Sequence, residues 1–313
     1  MSLLAWVLVT FSGFAEGGMQ AVMKLAPLHR FAVLAAGFLL AVPYYAVWVA
    51  WEGMGAVHPL FWPLVALHVL CMVIGFTLLV EGLQSSPLTK VAPYLSFTPF
   101  WLLFTAPFVA SITGTGWPTI LGTMGALVMV CGLYVHNIRD TRTGFLAPFR
   151  ELMADRGSRL VFWAAAVFAI TATLDPFILQ YASIPFYFLV DHGLGGLAFA
   201  GMGVAWYATN RIKREELMPG RCWGLLILLG FAIAASAVLH MFALRLGVPV
   251  SYVVAVKRSW ALLSMMGIGL ALAVAFRASG RHAAEAEAFT WRLPGVLLML
   301  AGMVIILLWG KSP

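Results

Sequence analysis

Two adjacent cations stand inside an apolar run. The stretch VVAVKRSWALL at 253–263 sets Lys257 and Arg258 among hydrophobic residues that continue into SMMGIGLALAVAF. A basic residue at the centre of a membrane helix costs about 2.5–3.5 kcal/mol on insertion scales, so such charges face a partner or a wet cavity. The chemistry a Lys-Arg pair offers there is capture of an anionic group, a carboxylate or a phosphate, with the arginine fork the better bidentate partner. Three carboxylates lie in other apolar runs: Glu16 in SGFAEGGMQ, Asp175 in TATLDP and Asp191 in FYFLVDHGLGG. Counting about 1.5 Å per residue from one face puts Asp175 about 11 Å, Asp191 about 9 Å and the two bases about 13 Å deep. Opposite charges therefore share a depth.

From that match we expect Asp175 or Asp191 to neutralise one base and leave the other facing a cavity, because neighbouring helical residues point in different directions. Glu16, Asp175 and Asp191 are candidate coupling or counter-ion residues. Burial disfavours the charged form of a carboxylate, the property that proton coupling uses. Trp260 and Tyr252 flank the basic pair and Tyr94 lies in a neighbouring run, so these three are candidate substrate-binding aromatics, with Trp101, Tyr181 and Tyr187 also near span ends. His68 and His240 are lone histidines on apolar stretches, read first as packing residues, with a substrate or proton role as the alternative. Lys24, Glu81 and Lys90 lie at span ends, where snorkelling and surface ion pairs account for them.

The elements that must position these side chains are helices in a membrane. With 62% hydrophobic and 10% charged residues and a mean hydropathy of +0.95 over 313 residues, the chain exceeds the roughly 45–50% apolar share of soluble domains. Ten runs are each long enough to cross about 30 Å of hydrocarbon: 2–25, 31–51, 60–83, 87–111, 118–137, 159–182, 185–208, 222–246, 249–276 and 291–310. The first run has neither a basic leader nor a small-residue cleavage site, so it reads as a retained helix. Cys71, Cys131 and Cys222 have unrelated spacings and suggest neither a disulfide framework nor a metal site. The net charge of +7 follows the membrane rather than nucleic acid. Arg30, Arg139, Arg142, Arg150, Arg156, Arg159, Arg211, Lys213, Arg214, Arg221, Arg277, Arg281 and Arg292 gather after the first, fifth, seventh and ninth runs. Lys311 and Arg245 stand at the opposite ends. The positive-inside rule makes the Arg-rich ends cytoplasmic and sends both termini outside, in a bacterial-type inner membrane.

The linker RDTRTGFLAPFRELMADRGSR divides the runs five and five, giving units at 1–138 and 159–313 joined by 139–158, with a short interfacial helix expected in the linker. The fifth run contains GALVMVCG and the tenth GVLLMLAG, with Gly125, Met129 and Gly132 matching Gly295, Met299 and Gly302. Two copies of a five-helix unit in one chain must enter the membrane with opposite orientations, the inverted-repeat plan of many secondary transporters. Pro87, Pro93, Pro99 and Pro107 in the fourth run, and Pro176 after Asp175, each remove a backbone donor. Broken helices of that kind suit a midplane cavity.

The phrases GLQSSPLTKVAPYLSFTPFW and ALRLGVPVSYVVAVKRSWALLS, each followed one run later by the glycine phrases above, resemble the paired repeats of the drug/metabolite transporter superfamily, particularly its EamA-type members. The likeness covers nearly the whole chain and implies ten helices in two inverted repeats and a transport function. The family also looks mostly termini-inside, opposite to the arginine distribution here. It transfers no site residue.

The expected function is secondary active transport of a small anionic or zwitterionic metabolite by alternating access, open to proton coupling. A flippase for an anionic lipid or lipid-linked sugar phosphate is the alternative, and an integral-membrane enzyme a distant third, since HExxH, GxSxG and paired metal-ligand carboxylates are missing from the sequence. No catalytic residue, metal or cofactor is assigned. The expected partners are the small-molecule or lipid-phosphate substrate and membrane lipids, without nucleic acid, and the chain is expected as a monomer or homodimer.

Overall fold

The computed structural model describes residues 3–86, 88–113, 119–136, 147–217, 220, 222–275 and 283–309. Every regular element among them is a helix: α1 (Leu3–Leu25), α2 (Arg30–Glu52), α3 (Phe61–Ser85), α4 (Leu88–Leu95), α5 (Thr98–Thr113), α6 (Ile120–His136), α7 (Ala147–Ala154), α8 (Arg156–Ile178), α9 (Ile184–Ala208), α10 (Arg214–Leu217), α11 (Trp223–Arg245), α12 (Val250–Ala275) and α13 (Ala283–Trp309). Five of them, α2, α3, α8, α9 and α11, are long and apolar enough to cross a membrane. Large apolar side chains such as Phe104, Ile120, Leu197 and Val204 are exposed on the outer surface. Exposed apolar side chains of that size suit a lipid solvent. The described residues are all-helical in their regular structure and of membrane character.

Local sequence explains the helix boundaries. Asp155 caps α8, its carboxylate accepting from the Ser158 amide at 2.8 Å, and such a cap satisfies one of the orphan donors of the first turn. Gly53 ends α2 at φ 85, a backbone conformation open to glycine without a Cβ penalty. The fourth run is broken, as its prolines predict. Helix α4 stops at Leu95, the chain turns at Ser96 and Phe97, and α5 restarts at Thr98, whose hydroxyl donates to the Leu95 carbonyl at 2.7 Å. Pro99 follows in the first turn of α5, where a missing amide costs no intrahelical bond. Helix α8 ends three residues after Asp175, two after Pro176. The linker holds the short helix α7. The charges at Arg139, Arg142, Arg221, Arg277, Arg281 and Lys311, together with Pro87, lie outside the described residues.

The two parts of the chain interleave. Helix α1 packs on α11 and α12, α3 on α8 and α9, α2 on α9 and α11, α4 and α5 on α8, and α6 on α13. Small residues permit the closest of these approaches. A Cβ at Gly125 would lie 2.8 Å from the Gly302 carbonyl and one at Gly132 would lie 2.7 Å from the Gly295 carbonyl. The two matching glycine phrases thus face one another across α6 and α13. On α1, a Cβ at Gly13 would lie 2.6 Å from the Lys257 carbonyl, and one at Gly17 would lie 2.6 Å from the Ser264 Cβ. Those two glycines bring α1 against the stretch of α12 that carries the basic pair.

One end of the bundle is tied by charge. Glu81 of α3 pairs with Arg30 of α2 at 3.4 Å and with Arg156 of α8. Asp155 binds Lys90 of α4 at 3.0 Å and accepts from the Ser86 hydroxyl. Lys24 of α1 donates to the carbonyls of Leu83 and Ser86 at 2.6 and 2.9 Å. At the opposite end the contacts are neutral: the His58 amide donates to the Tyr181 carbonyl, and the Ser183 hydroxyl to the Met54 carbonyl.

Candidate functional site

A cavity of about 140 Å³ lies between α1, α2, α3, α5, α8, α9, α11 and α12. Five of the eight predicted site residues line it: Glu16, Asp175, Asp191, Lys257 and Arg258. His68, His192 and His240 join them, with Tyr187, Thr98 and Thr171. The charges divide into two groups.

The first group gathers both bases on one carboxylate. Lys257 Nζ lies 3.1 Å from Glu16 Oε2, and the Arg258 guanidinium contacts Glu16 Oε1. Gln20, one turn along α1, donates to Oε1 at 2.9 Å. The Arg258 guanidinium also lies over the Phe168 ring, 5.6 Å from its centroid, in reach of a cation–π attraction. Glu16 is 2% exposed. Two cations on one carboxylate leave an excess positive charge, and Arg258 Nε has no hydrogen-bond partner among the described residues.

This arrangement corrects the expected pairing. The direct ion-pair partner of both Lys257 and Arg258 is Glu16 rather than Asp175 or Asp191, while Asp175 acts on Lys257 at longer range. A shared depth does not fix a shared azimuth: α1 crosses α12 at Gly13 and Gly17, and that crossing turns Glu16 toward the bases. Nor do the neighbouring bases diverge. Both side chains are long and flexible enough to reach the same carboxylate.

The second group is built from α3, α8, α9 and α11. His68 Nδ1 lies 2.7 Å from Asp191 Oδ1, and its Nε2 lies 3.3 Å from an oxygen of Asp175. The Tyr187 hydroxyl donates to Asp175 at 2.8 Å. His192 Nδ1 lies 3.3 Å from Asp191, and His240 Nε2 lies 3.8 Å from Asp175. All six of these side chains belong to residues that are buried. His68 and His240 are thus polar-cluster members rather than packing histidines. The sequence reading left His192 unassigned, and the apolar helix around DHGLGG gives no local sign of its partners.

The predicted aromatics fall outside the lining. Trp260 packs its ring 5.0 Å from that of Phe14. The Tyr252 hydroxyl accepts from the Thr119 amide at 2.8 Å. Tyr94 is buried and stacks on Phe97 with 6.4 Å between ring centroids. Tyr187 takes the cavity position instead, where its hydroxyl serves Asp175.

Among the described residues no cluster of three or more His, Cys, Asp or Glu has the geometry to hold a metal ion. What the site can do chemically is pair charges of both signs and exchange protons in a space shielded from bulk water.

No protein-family model matches the sequence, and no curated relative does. A solved crystal structure of another protein aligns with 99% of this chain and 98% of its own at a TM-score of 0.61 and 14% identity. At that identity the likeness concerns the fold alone. It extends to the whole helical arrangement.

Proposed function

We propose that the chain is a secondary active carrier that moves a small zwitterionic metabolite across a membrane by alternating access. The observation that carries this reading is the division of charge within one cavity. The Lys257, Arg258 and Glu16 group holds an excess cation, and the Asp175 and Asp191 group holds an excess of carboxylate around His68. A ligand with a carboxylate at one end and an ammonium at the other matches both, and a buried charge needs a partner. A purely anionic ligand answers only half of the site. The volume of about 140 Å³ is smaller than the roughly 300–1,000 Å³ of drug-sized pockets, which favours a small metabolite over a lipid-linked sugar.

The moving parts in this reading are two inverted five-helix halves, 1–138 and 159–313, with ten crossings of a bacterial-type inner membrane. The packing pattern supports it. Exchanging the halves carries the α1–α11 contact onto α8–α3, the α1–α12 contact onto α8 with α4 and α5, and returns α2–α9 and α6–α13 to themselves. That is the pattern expected of a two-fold axis in the membrane plane, and it agrees with the resemblance to drug/metabolite transporters. The positive-inside rule assigns the charged end, with Arg30 and Arg156, to the cytoplasm and both termini to the outside. In that orientation the Glu81 and Asp155 pairs close the cytoplasmic end.

Counterflow in proteoliposomes tests the proposal. Vesicles containing the full chain and loaded with unlabelled L-alanine, L-serine and L-leucine should accumulate the same labelled compounds, and Arg258→Ala should abolish the accumulation while leaving the protein monodisperse. Normal counterflow by both Arg258→Ala and Lys257→Ala would remove the assigned role of the basic pair. Translocation of a fluorescent phosphatidylglycerol without counterflow would move the assignment to a flippase.

A further inference from the structure

We propose that His68, held between Asp175 and Asp191, binds one proton that crosses the membrane together with the zwitterion; this rests on the carrier reading above. The first argument is a count of hydrogens. Both ring nitrogens face carboxylate oxygens, Nδ1 at 2.7 Å from Asp191 and Nε2 at 3.3 Å from Asp175. A neutral imidazole has one N–H, and an ionised carboxylate only accepts. With all three groups in those forms, a nitrogen lone pair would face a carboxylate oxygen. One added proton on the ring gives each contact its hydrogen.

The surroundings do not supply that hydrogen another way. On α9, the Tyr187 hydroxyl already donates to Asp175, and His192 lies 3.3 Å from the other oxygen of Asp191. On α11, His240 stands 3.8 Å from Asp175. On α2, the Tyr45 ring packs 5.1 Å from that of His192. On α12, Lys257 contacts Glu16 of α1 and also stands within electrostatic reach of Asp175 and His240, but it touches neither nitrogen of the His68 ring. On α4, Lys90 is taken up by Asp155 at the charged end, and on α3 itself Cys71 is the nearest titratable neighbour in sequence.

The second argument is charge balance in the loaded cavity. With His68 protonated, the carboxylate group carries one net negative charge and the basic group one net positive charge. A bound zwitterion then leaves every charge paired. Without the proton, the loaded cavity keeps an uncompensated negative charge, which a low-dielectric site penalises. The third argument is position. His68 stands on α3 and the two aspartates on α8 and α9, so under the two-half reading both contacts cross between the moving parts. Rocking that separates α3 from α8 and α9 breaks them together and frees the proton on the side then open.

Two measurements on the full chain decide this. In lipid nanodiscs with ¹⁵N-labelled histidine, the ring signals assigned by their loss in His68→Gln should show two N–H groups at pH 7, and Asp191→Asn should convert that ring to a single N–H. In proteoliposomes with trapped pyranine and L-alanine as probe, the wild type should move about one proton per alanine. In His68→Gln the number of protons moved per alanine should fall toward zero for whatever alanine flux the variant keeps. Asp191→Asn keeps the side-chain shape and serves where His68→Gln does not fold. A single N–H on the wild-type ring, or alanine movement without protons, overturns the proposal. If the wild type moves no alanine, the carrier reading fails for this probe and the coupling falls with it, while the ring signals still decide the proton site.

Discussion

Glu16 Oε2 lies 3.1 Å from Lys257 Nζ, so a carboxylate of the first helix is the counter-ion of a base carried by α12. Arg258 meets the other oxygen of the same group. Replacing Glu16 by Gln leaves two buried cations without their anion. Removing one member of a buried ion pair costs about 3–5 kcal/mol. We expect Glu16→Gln to lower the melting temperature of the purified protein clearly, and Glu16→Gln with Lys257→Met to recover a large part of that loss. A double variant no more stable than the single one would show that the pair does not hold α1 against α12.

The approach of α1 to α12 makes a second prediction. A methyl group at Gly17 would lie 2.6 Å from the Ser264 Cβ and 2.7 Å from the Ala261 carbonyl, whereas Gly18 has no atom within 4 Å of the same position. Overpacking of a tight contact costs about 1–3 kcal/mol. Gly17→Ala should therefore destabilise the protein and weaken ligand binding by tilting Glu16 away from the bases. Gly18→Ala should be neutral or stabilising, because alanine exceeds glycine in helix propensity by up to about 1 kcal/mol. Thermal unfolding of the two variants side by side checks it. Equal effects would contradict the close approach.

How much of this was legible beforehand depends on the kind of information each residue carries. The prolines at 93 and 99 told of a broken fourth helix because a missing N–H acts locally, and the break between Leu95 and Thr98 follows from it. Lys257 and Arg258 were legible as cavity residues because charge in an apolar run is anomalous wherever it falls. The partner of that pair was not legible. Depth is a one-dimensional coordinate, and the choice between Glu16 and Asp175 depends on helix rotation, which Gly13 and Gly17 set through contacts far apart in sequence. His68 was read as a packing residue for the same reason: its two carboxylates are 107 and 123 positions away, and nothing in its own helix announces them. Tyr252 lies on another face of α12, and Trp260, one turn from Lys257, packs its ring on Phe14 of α1 instead of into the cavity, so closeness along the chain misled.

The charged end gives a pH-dependent prediction. Burial works to raise the Asp155 carboxyl, but the hydroxyl and amide of Ser158 and the ammonium of Lys90 outweigh it and hold the group below its ordinary range. A carboxylate lowered by folding adds stability above its unfolded value of about 3.9, and that stability is lost as pH falls through the lower folded value. The wild type should lose melting temperature below about pH 4, and Asp155→Asn should lose less over the same range. Asp155→Ala also removes the α8 cap, at a cost of about 0.5–2 kcal/mol at neutral pH. Identical acid profiles for wild type and Asp155→Asn would contradict this role.

The measurement that tests the central claim most directly is thermal stabilisation of the purified protein by L-alanine, propionate and ethylamine at matched concentrations, since a ligand of the folded state stabilises it by mass action. The three share a small carbon skeleton and differ in charge. The account predicts that alanine raises the melting temperature, that propionate and ethylamine each do so weakly or not at all, and that the alanine effect is lost in both Arg258→Ala and Asp175→Asn. Propionate acting as strongly as alanine, with Asp175→Asn indifferent, would contradict the two-ended cavity and return the site to a purely anionic substrate.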